Sequence, residues 1–385
     1  MPVETLSREQ ELHWIALKLV PGLGTRIASK LIAQFRSPQA IFRSSRSELQ
    51  AAGISGALAQ SITSGCTFED AVVQQEKMLE IVTLSDPRDP PLLKEIFDPP
   101  IFIFARGRID LRQSTMFVVG TRRPTPYGLA ATERLSGDLA RVGLTIASGM
   151  ARGIDTAAHK AALAAEGETI AVFGCGVDVI YPSDNRGLAV ELASKGLIIS
   201  EFPMGSAAFP QNFPIRNRII SGMSAGLLVV EGAQYSGSAI TAKLALDQGR
   251  EVFAVPGNIT SKMSWGPNLL IKQGAKLVQD WNDVVAELPV EVRRKLIQDG
   301  RNRLLHQGLN PDATEGDAQA SLLGSQAEIA RKLLEMLSPD AGVHLDALVE
   351  TLQDFSPSEL IAALFELEMN GLVKQLPGKN FVKVW

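Results

Sequence analysis

The chain has 385 residues, of which 45% are hydrophobic, and its formal net charge is −4. This length predicts about two to four domains, each with its own hydrophobic core. The net charge excludes a protein that binds nucleic acid through a uniformly basic surface, but it allows a local basic groove. No apolar run approaches the roughly 20 residues of a membrane span, and no signal pattern opens the chain, so we predict a cytoplasmic protein without a membrane span. Only Cys66 and Cys175 occur beside four scattered histidines, which predicts no disulfide framework and no metal site.

A compact helical domain is predicted over residues 1–75. Two apolar segments of helical period, QELHWIALKLV and TRIASKLIAQF, are separated by the helix-breaking turn PGLG. Gly24 or Thr25 is the expected cap of the second helix, and Ile27, Leu31 and Ile32 form its expected apolar face. The segment resembles a SAM/helix-hairpin-helix-like module, whose turn donates N–H groups to a DNA phosphate. A bundle that only packs is an equally good interpretation of the same residues.

An α/β core is predicted over residues 76–288, after a proline-rich connector that leads into a strand at 101–105. From about residue 114, short apolar runs alternate with Ala- and Leu-rich amphipathic stretches, which is typical of a parallel sheet covered by helices. Ligands of such sheets bind outside the carboxyl ends of the strands. The candidate strands are residues 116–119, 144–148, 169–173, 197–201, 226–231, 251–255 and 276–278.

The C-terminal part is predicted to form a polar linker at 289–323 and a winged-helix domain at 324–385. Three helical segments and a hairpin, expected to turn at Pro377 and Gly378, follow the winged-helix plan. Ser356 and Glu359 have the spacing of a capping box before the third helix. That helix also carries Glu366 and Glu368, and its acidic surface would repel a DNA major groove. The domain is therefore expected to contact protein or to regulate the chain rather than to bind duplex DNA.

Three segments of the core repeat one arrangement of an apolar run, a glycine with hydroxyl residues, and a cation. They are FVVGTRRPTPYG, TIASGMARGID and VVEGAQYSGSAITAKLA. Glycine lets the backbone approach a ligand, a helix start presents N–H groups, and Arg122, Arg123, Arg152 and Lys243 add full charges. The expected ligand is anionic. Neither a Walker loop nor a complete G-x-G-x-x-G fingerprint is present, so the usual nucleotide sites are not predicted.

The segment FPIRNRIISG adds an aromatic residue and two arginines to this set. Arg216 and Arg218 are candidates to clamp phosphates, and Phe213 to stack on a base. For Arg218, an ion network with Glu201 or Glu231 is an equally good interpretation.

Asp155 and His159 invite an acid-base interpretation because they lie one helical turn apart in GIDTAAH. No nucleophile accompanies them at a recognised spacing, so structural or ligand-orienting roles are favoured and no catalytic residue is predicted.

Taken in series, VVGTRRPTPYG, SGMARGIDTAAHKAAL, GCGVDVIYP, FPIRNRIISG, VVEGAQYSGSAITAKLALDQGR and SWGPNLLIKQGA closely resemble the DNA-processing protein A family, DprA or Smf. The match runs over about residues 85–285. The resemblance implies an extended Rossmann-like core that forms homodimers, uses no cofactor and has no established catalytic reaction. It further implies a single-stranded DNA-binding protein that protects incoming DNA during natural transformation and loads the RecA recombinase.

The resemblance also assigns DNA-contacting residues, which are carried over motif by motif. One departure is that residues 207–212, before FPIRNR, supply no cation where family members often have one, so weak binding is expected there. The assigned residues are Gly120, Thr121, Arg122, Arg123, Ser148, Gly149, Arg152, Phe213, Arg216, Arg218, Ser236, Gly237, Ser238 and Lys243.

A rival interpretation is a nucleotide-binding Rossmann enzyme that resembles the lysine-decarboxylase-like phosphoribohydrolases. Such enzymes carry a PGGxGTxxE signature. The corresponding stretch here is EGAQYSGSAITAK, in which no glutamate follows the threonine at that spacing. The missing acid disfavours catalysis.

Overall fold

The structure of the protein is a computed structural model that describes residues 6–77, 80–83, 86, 88–107, 111, 113–234, 236–306, 327–338, 342–352, 355–369, 372–376 and 380–383. The chain divides into two compact units, Met1–Asp299 and Gly300–Trp385. The finer boundaries at residues 75, 288 and 324 remain predictions. Of the predicted linker, residues 307–323 lie outside the described part, whereas its first residues belong to a helix, Val290–His306.

The described N-terminal residues form six helices that pack on one another. Ser7 begins α1 with a reciprocal capping box to Gln10, and Gly24 is the N-cap of α2. Leu31 and Ile32 face the interior as predicted, but Ile27 is 39% exposed and lies outside that apolar face. The helices are α1 (Arg8–Leu19), α2 (Thr25–Phe35), α3 (Pro38–Arg43), α4 (Arg46–Ala51), α5 (Gly56–Thr63) and α6 (Phe68–Lys77).

A nine-stranded sheet forms the centre of the first unit, in the order β1-β2-β6-β5-β4-β3-β7-β8-β9. The seven strands from β6 to β9 in this order are parallel, whereas β1 and β2 are antiparallel additions at one edge. Each predicted strand is present within one or two residues; β1 was not predicted. The strands are β1 (Glu80–Thr83), β2 (Phe102–Gly107), β3 (Thr115–Val119), β4 (Thr145–Ser148), β5 (Thr169–Phe173), β6 (Leu197–Ser200), β7 (Gly226–Val229), β8 (Glu251–Ala254) and β9 (Lys276–Leu277).

Helices cover both faces of the sheet, so the inner strands are buried on both sides. In β3, Met116 and Val118 pack with Leu135 on one face, while Phe117 packs with Ile219 on the other. None of the described helices is long and apolar enough to cross a membrane. The helices of this part are α7 (Pro91–Lys94), α8 (Pro126–Arg141), α9 (Ile154–Ala164), α10 (Arg186–Lys195), α11 (Asn212–Met223), α12 (Gly237–Asp247), α13 (Trp265–Lys272), α14 (Trp281–Glu287) and α15 (Val290–His306), with a short 3-10 helix at Ser183–Asn185.

The described residues from 327 onward, which belong to the second unit, form the three helices and the antiparallel sheet of a winged helix. Ser356 and Glu359 form the predicted capping box, since the backbone N–H of each donates to the side chain of the other. The predicted turn at Pro377 and Gly378 lies outside the described residues. The elements are α16 (Ala327–Met336), β10 (Val343–His344), α17 (Leu345–Thr351), α18 (Pro357–Met369), β11 (Val373–Leu376) and β12 (Asn380–Lys383), with sheet order β10-β12-β11.

Candidate functional site

A cleft of about 730 Å³ opens at the carboxyl ends of the parallel strands. It lies where the chain order reverses, because β4 pairs with one side of β3 and β7 with the other. Open α/β sheets bind ligands at such a switch point. The walls come from the loops after β3, β4, β5 and β7 and from the first turns of α11 and α12. The glycine loops singled out in the sequence therefore meet in one place.

The loop after β3 supplies the exposed cations of the cleft. Arg122 and Arg123 are both exposed and line it together with Thr121. Within the described part of the chain, neither guanidinium has an ion-pair partner. Gly120 has a packing role, because a Cβ there would lie 2.5 Å from the Ile154 side chain. Two full positive charges consequently remain at the cleft wall.

The N-terminus of α8 is not available to bind an anionic ligand. This differs from the expectation that the helix starts after the glycine loops present free N–H groups. Thr125 caps the helix by accepting from the Gly128 N–H, and it donates to Glu231 from both its backbone N–H and its hydroxyl, at 2.9 and 2.6 Å. The buried Glu231 carboxylate thus occupies the position that a ligand anion would take. A negative charge beside a helix N-terminus stabilises the helix, so Glu231 stabilises α8 within the fold rather than serving a ligand.

Of the residues in the loop after β4 that were predicted to contact DNA, some are buried and one is exposed. Ser148 is buried and donates to the Val118 carbonyl oxygen at 2.7 Å, and Gly149 leaves the space that the Arg216 guanidinium fills. Asp155 accepts from the Gly149 and Ala151 N–H groups at 3.1 and 3.3 Å, and its burial raises the pKa of this carboxyl. Ser148 and Gly149 therefore build the loop, and their expected DNA contacts do not fit their burial. The next predicted contact along the chain, Arg152, is exposed.

His159 does not form a catalytic pair with Asp155. Its Nδ1 lies 2.6 Å from the Thr169 hydroxyl, inside the protein. Burial lowers the pKa of His159 to about 3, so the ring stays neutral. The geometry agrees with the structural role favoured from the sequence.

Arg216 is a buried support of the cleft. It is only 6% exposed, and its Nη1 donates to the carbonyl oxygens of Gly149 and Val172. Burial lowers the pKa of the guanidinium to about 10, and the charge of Asp155 opposes that shift. Arg216 joins the loop after β4 to strand β5, and only a small part of it reaches the cleft. A phosphate clamp formed mainly by this side chain is not consistent with its burial.

Arg218 lies away from the cleft in an ion network. Its guanidinium pairs with the buried Glu201 carboxylate and, at 3.2 Å, with Asp98. The second oxygen of Glu201 accepts from Lys18 of α1 at 2.8 Å, which ties the N-terminal helices to the sheet. The alternative of an ion network through Glu201 is confirmed, and a direct DNA contact by Arg218 is not supported by this position.

An aromatic pair stands beside the exposed arginines. The rings of Phe213 and Tyr181 are 5.6 Å apart between centroids and tilted by 33°. The guanidinium carbon of Arg122 lies 5.9 Å from the Phe213 centroid, and that of Arg216 lies at 5.8 Å. Tyr181 was not among the residues predicted from the sequence, although it lies in the segment GCGVDVIYP. Its signal was an aromatic residue in a loop that follows a parallel strand.

The start of α12 forms the opposite wall. Ser236, Gly237 and Ser238 line the cleft, and no side chain among the described residues caps this helix. The hydroxyl groups of Ser236 and Ser238 lie 2.6 Å apart, and a Cβ at Gly237 would meet open space. This helix start is therefore open to an anion. Lys243 is exposed farther along α12 and does not line the cleft.

These features define a Rossmann-like α/β protein with a cationic, aromatic cleft at the switch point and a separate winged-helix unit. Within the described residues, no group of three or more His, Cys, Asp or Glu side chains is arranged to hold a metal ion. Residues 80–289 match the model of the DNA recombination-mediator protein A family, and residues 316–379 match the DprA winged helix domain. The chain belongs to the DNA recombination-mediator protein A family, also known as DprA or Smf.

Relatives and solved structures agree with this assignment. Protein Smf of Synechocystis is 32% identical over 98% of this chain and 99% of its own length. DNA processing protein DprA of Bacillus subtilis is 43% identical over 56% of this chain and 73% of its length. The X-ray structure of Streptococcus pneumoniae DprA has a TM-score of 0.66, with 33% identity, 74% of this chain covered and 99% of that chain. A Helicobacter pylori DprA structure, described for its single-stranded DNA binding mode, has a TM-score of 0.50 with 29% identity, covering 57% of this chain and 97% of that one.

Proposed function

We propose that this protein binds single-stranded DNA in the cleft at the switch point. The observation that carries the proposal is the placement of the exposed Arg122 beside the half-buried Phe213 ring and the exposed Tyr181 ring in the cleft. Arginines attract the phosphates, while aromatic rings stack on any base, and together they give binding that tolerates any sequence. The single-stranded DNA binding mode described for the Helicobacter pylori relative supports the same ligand.

The proposed contacts form two groups. Arg122, Arg123, Arg152 and the open start of α12 hold phosphates, and Phe213 and Tyr181 stack on bases. Thr121, Ser236, Gly237 and Ser238 add hydroxyl and backbone donors. Lys243 is the proposed contact for a strand that continues beyond the cleft, whereas Gly120, Ser148, Gly149, Arg216 and Arg218 support the loops from inside.

The biological role of DNA binding is inferred from membership of the family. We propose that the protein acts in the cytoplasm as a homodimer, protects incoming DNA during natural transformation and loads the RecA recombinase onto it. Two aligned clefts on one strand would increase avidity without new contacts. The winged-helix unit is proposed to contact protein rather than duplex DNA, because Glu359 and Glu368 of α18 disfavour a DNA groove.

No catalytic step is proposed. The acid and base candidates Asp155 and His159 are both buried and bonded inside the fold, and the glutamate of the phosphoribohydrolase signature has no counterpart. The cleft also presents cations and rings rather than paired carboxylates, which suits binding to a polyanion.

The test is a comparison of ligands of one chemical type and increasing length. We expect affinity to rise from a mononucleotide to oligonucleotides of several nucleotides, to exceed that for the matching duplex, and to fall steeply with salt, with a slope of about −0.7 per phosphate contact. Fluorescence anisotropy measures all three. Tight mononucleotide binding with release of free base would instead establish the enzymatic alternative.

A further inference from the structure

A surface ion pair stands at the rim of the cleft, beside the aromatic pair. The Nε of Arg152 donates to Oδ2 of Asp184 at 2.7 Å, and both side chains are more than half exposed. Arg152 lines the rim together with Arg122, Tyr181 and Phe213. Asp184 lies three residues after Tyr181, within the 3-10 helix Ser183–Asn185. An acidic side chain at the entrance of a cleft for a polyanion is unexpected on charge alone.

The backbone that carries Asp184 is held firmly against the loop that carries Arg152. The next residue, Asn185, is 6% exposed, and its amide donates to the Met150 carbonyl oxygen and to the Thr156 hydroxyl, both at 2.9 Å. These bonds link the segment after β5 to the loop after β4 and to the first turn of α9. The carboxylate of Asp184 is therefore presented to Arg152 from a fixed position rather than from a free loop.

The hydrogen bond between Arg152 and Asp184 uses only one edge of the Arg152 guanidinium. Within the part of the chain that the structure describes, the two terminal Nη groups of Arg152 have no hydrogen-bond acceptor. A guanidinium presents its donors in a planar fork, so an acceptor on Nε fixes the plane and leaves the Nη edge for a phosphate. The bond from Arg152 also lowers the pKa of Asp184, which keeps this carboxylate ionised.

We propose that Asp184 is a positioning residue that orients Arg152 for a DNA phosphate. The inference rests on the proposed function, because it assigns a task to an acid within that same site. The benefit is that the flexible arginine side chain is ordered before DNA arrives, so less freedom is lost on binding. The cost is a negative charge near the DNA, which is screened because the pair is exposed to solvent.

Two substitutions of Asp184 distinguish the orientation of the Arg152 side chain from the effect of the negative charge of Asp184. Asp184→Asn removes the charge but keeps an oxygen that accepts from Nε, whereas Asp184→Ala removes both. We expect Asp184→Ala to weaken binding of a single-stranded oligonucleotide by roughly three- to tenfold, the range set by ordering one long side chain. Asp184→Asn is expected to bind at least as well as the wild type. Asp138→Ala, which opens the exposed Arg141–Asp138 pair at the far end of α8, is the matched control and is expected to leave affinity unchanged.

The same measurement in an Arg152→Ala background completes a double-mutant cycle. We expect Asp184→Ala to cause no further loss of affinity there, because the arginine that Asp184 orients is gone. Equal or tighter binding by Asp184→Ala in the wild-type background would overturn the proposal, since it would make Asp184 a bystander or a competitor of phosphate. Failure of the wild type to bind single-stranded DNA would refute the proposed function instead, so the two failures are distinguishable.

Discussion

Replacement of both Arg122 and Arg123 by alanine is expected to lower the affinity for a single-stranded oligonucleotide by about tenfold or more. Both side chains are exposed in the cleft, and neither has an ion-pair partner within the described residues. Each lost phosphate contact reduces the salt slope by about 0.7, so the slope should flatten by about 1.4 for two contacts. Anisotropy titrations at several salt concentrations measure both quantities.

The matched control is Arg141→Ala. Arg141 is also exposed but lies in the last turn of α8, at the opposite end of the helix that follows the Arg122 loop. We expect this control to keep both the affinity and the salt slope of the wild type, because Arg141 lies just before the start of β4, whereas the cleft opens at the carboxyl ends of the strands. An unchanged salt slope in the double variant would contradict the assignment of the loop after β3 as a phosphate contact.

Arg216→Met is expected to lower the free energy of unfolding by about 3 kcal/mol, because it leaves the buried Asp155 carboxylate without a compensating positive charge. The guanidinium satisfies two buried carbonyl oxygens, those of Gly149 and Val172, and its charge acts on the buried Asp155. Methionine fills similar space but leaves these polar groups without their partner. Urea unfolding followed by circular dichroism gives the value.

A second variant separates the charge from the packing at this site. Adding Asp155→Asn to Arg216→Met removes the unpaired carboxylate, so part of the lost stability should return. The amide introduced by this substitution would still offer one oxygen to the Gly149 and Ala151 N–H groups. If Arg216→Met unfolds at the same urea concentration as the wild type, Arg216 is not the support that its contacts indicate.

The sequence was sufficient for the parallel sheet because the inner strands contain short apolar runs, such as Met116 to Val119, and a glycine directly follows β3, β4 and β5. It could not identify β1, whose four residues at Glu80–Thr83 gain their strand pairing only from β2. The antiparallel edge is thus a consequence of tertiary pairing rather than of local pattern.

The cleft was predictable in position but not in detail. Glycine, hydroxyl and cation residues marked the loops correctly, yet the same pattern includes residues that serve the interior. Ser148 bonds a carbonyl 30 residues away, and Thr125 bonds a carboxylate 106 residues away. Such partners are set by the strand order, so Arg216 and Arg152 looked equivalent in sequence although only Arg152 is exposed.

A DNA strand in the cleft is expected to stack its bases on Phe213 and Tyr181, and photocrosslinking locates those bases. An oligonucleotide containing 5-iodouracil is bound to the full chain, irradiated and digested, and the crosslinked peptides are identified by mass spectrometry. Stacking places aromatic side chains against the reactive base. We predict crosslinks at Phe213 or Tyr181 that disappear when unlabelled single-stranded competitor is added. Crosslinks found only in residues 6–77 or 327–383, with none in the peptides that carry Phe213 and Tyr181, would show that the DNA strand does not lie in the cleft.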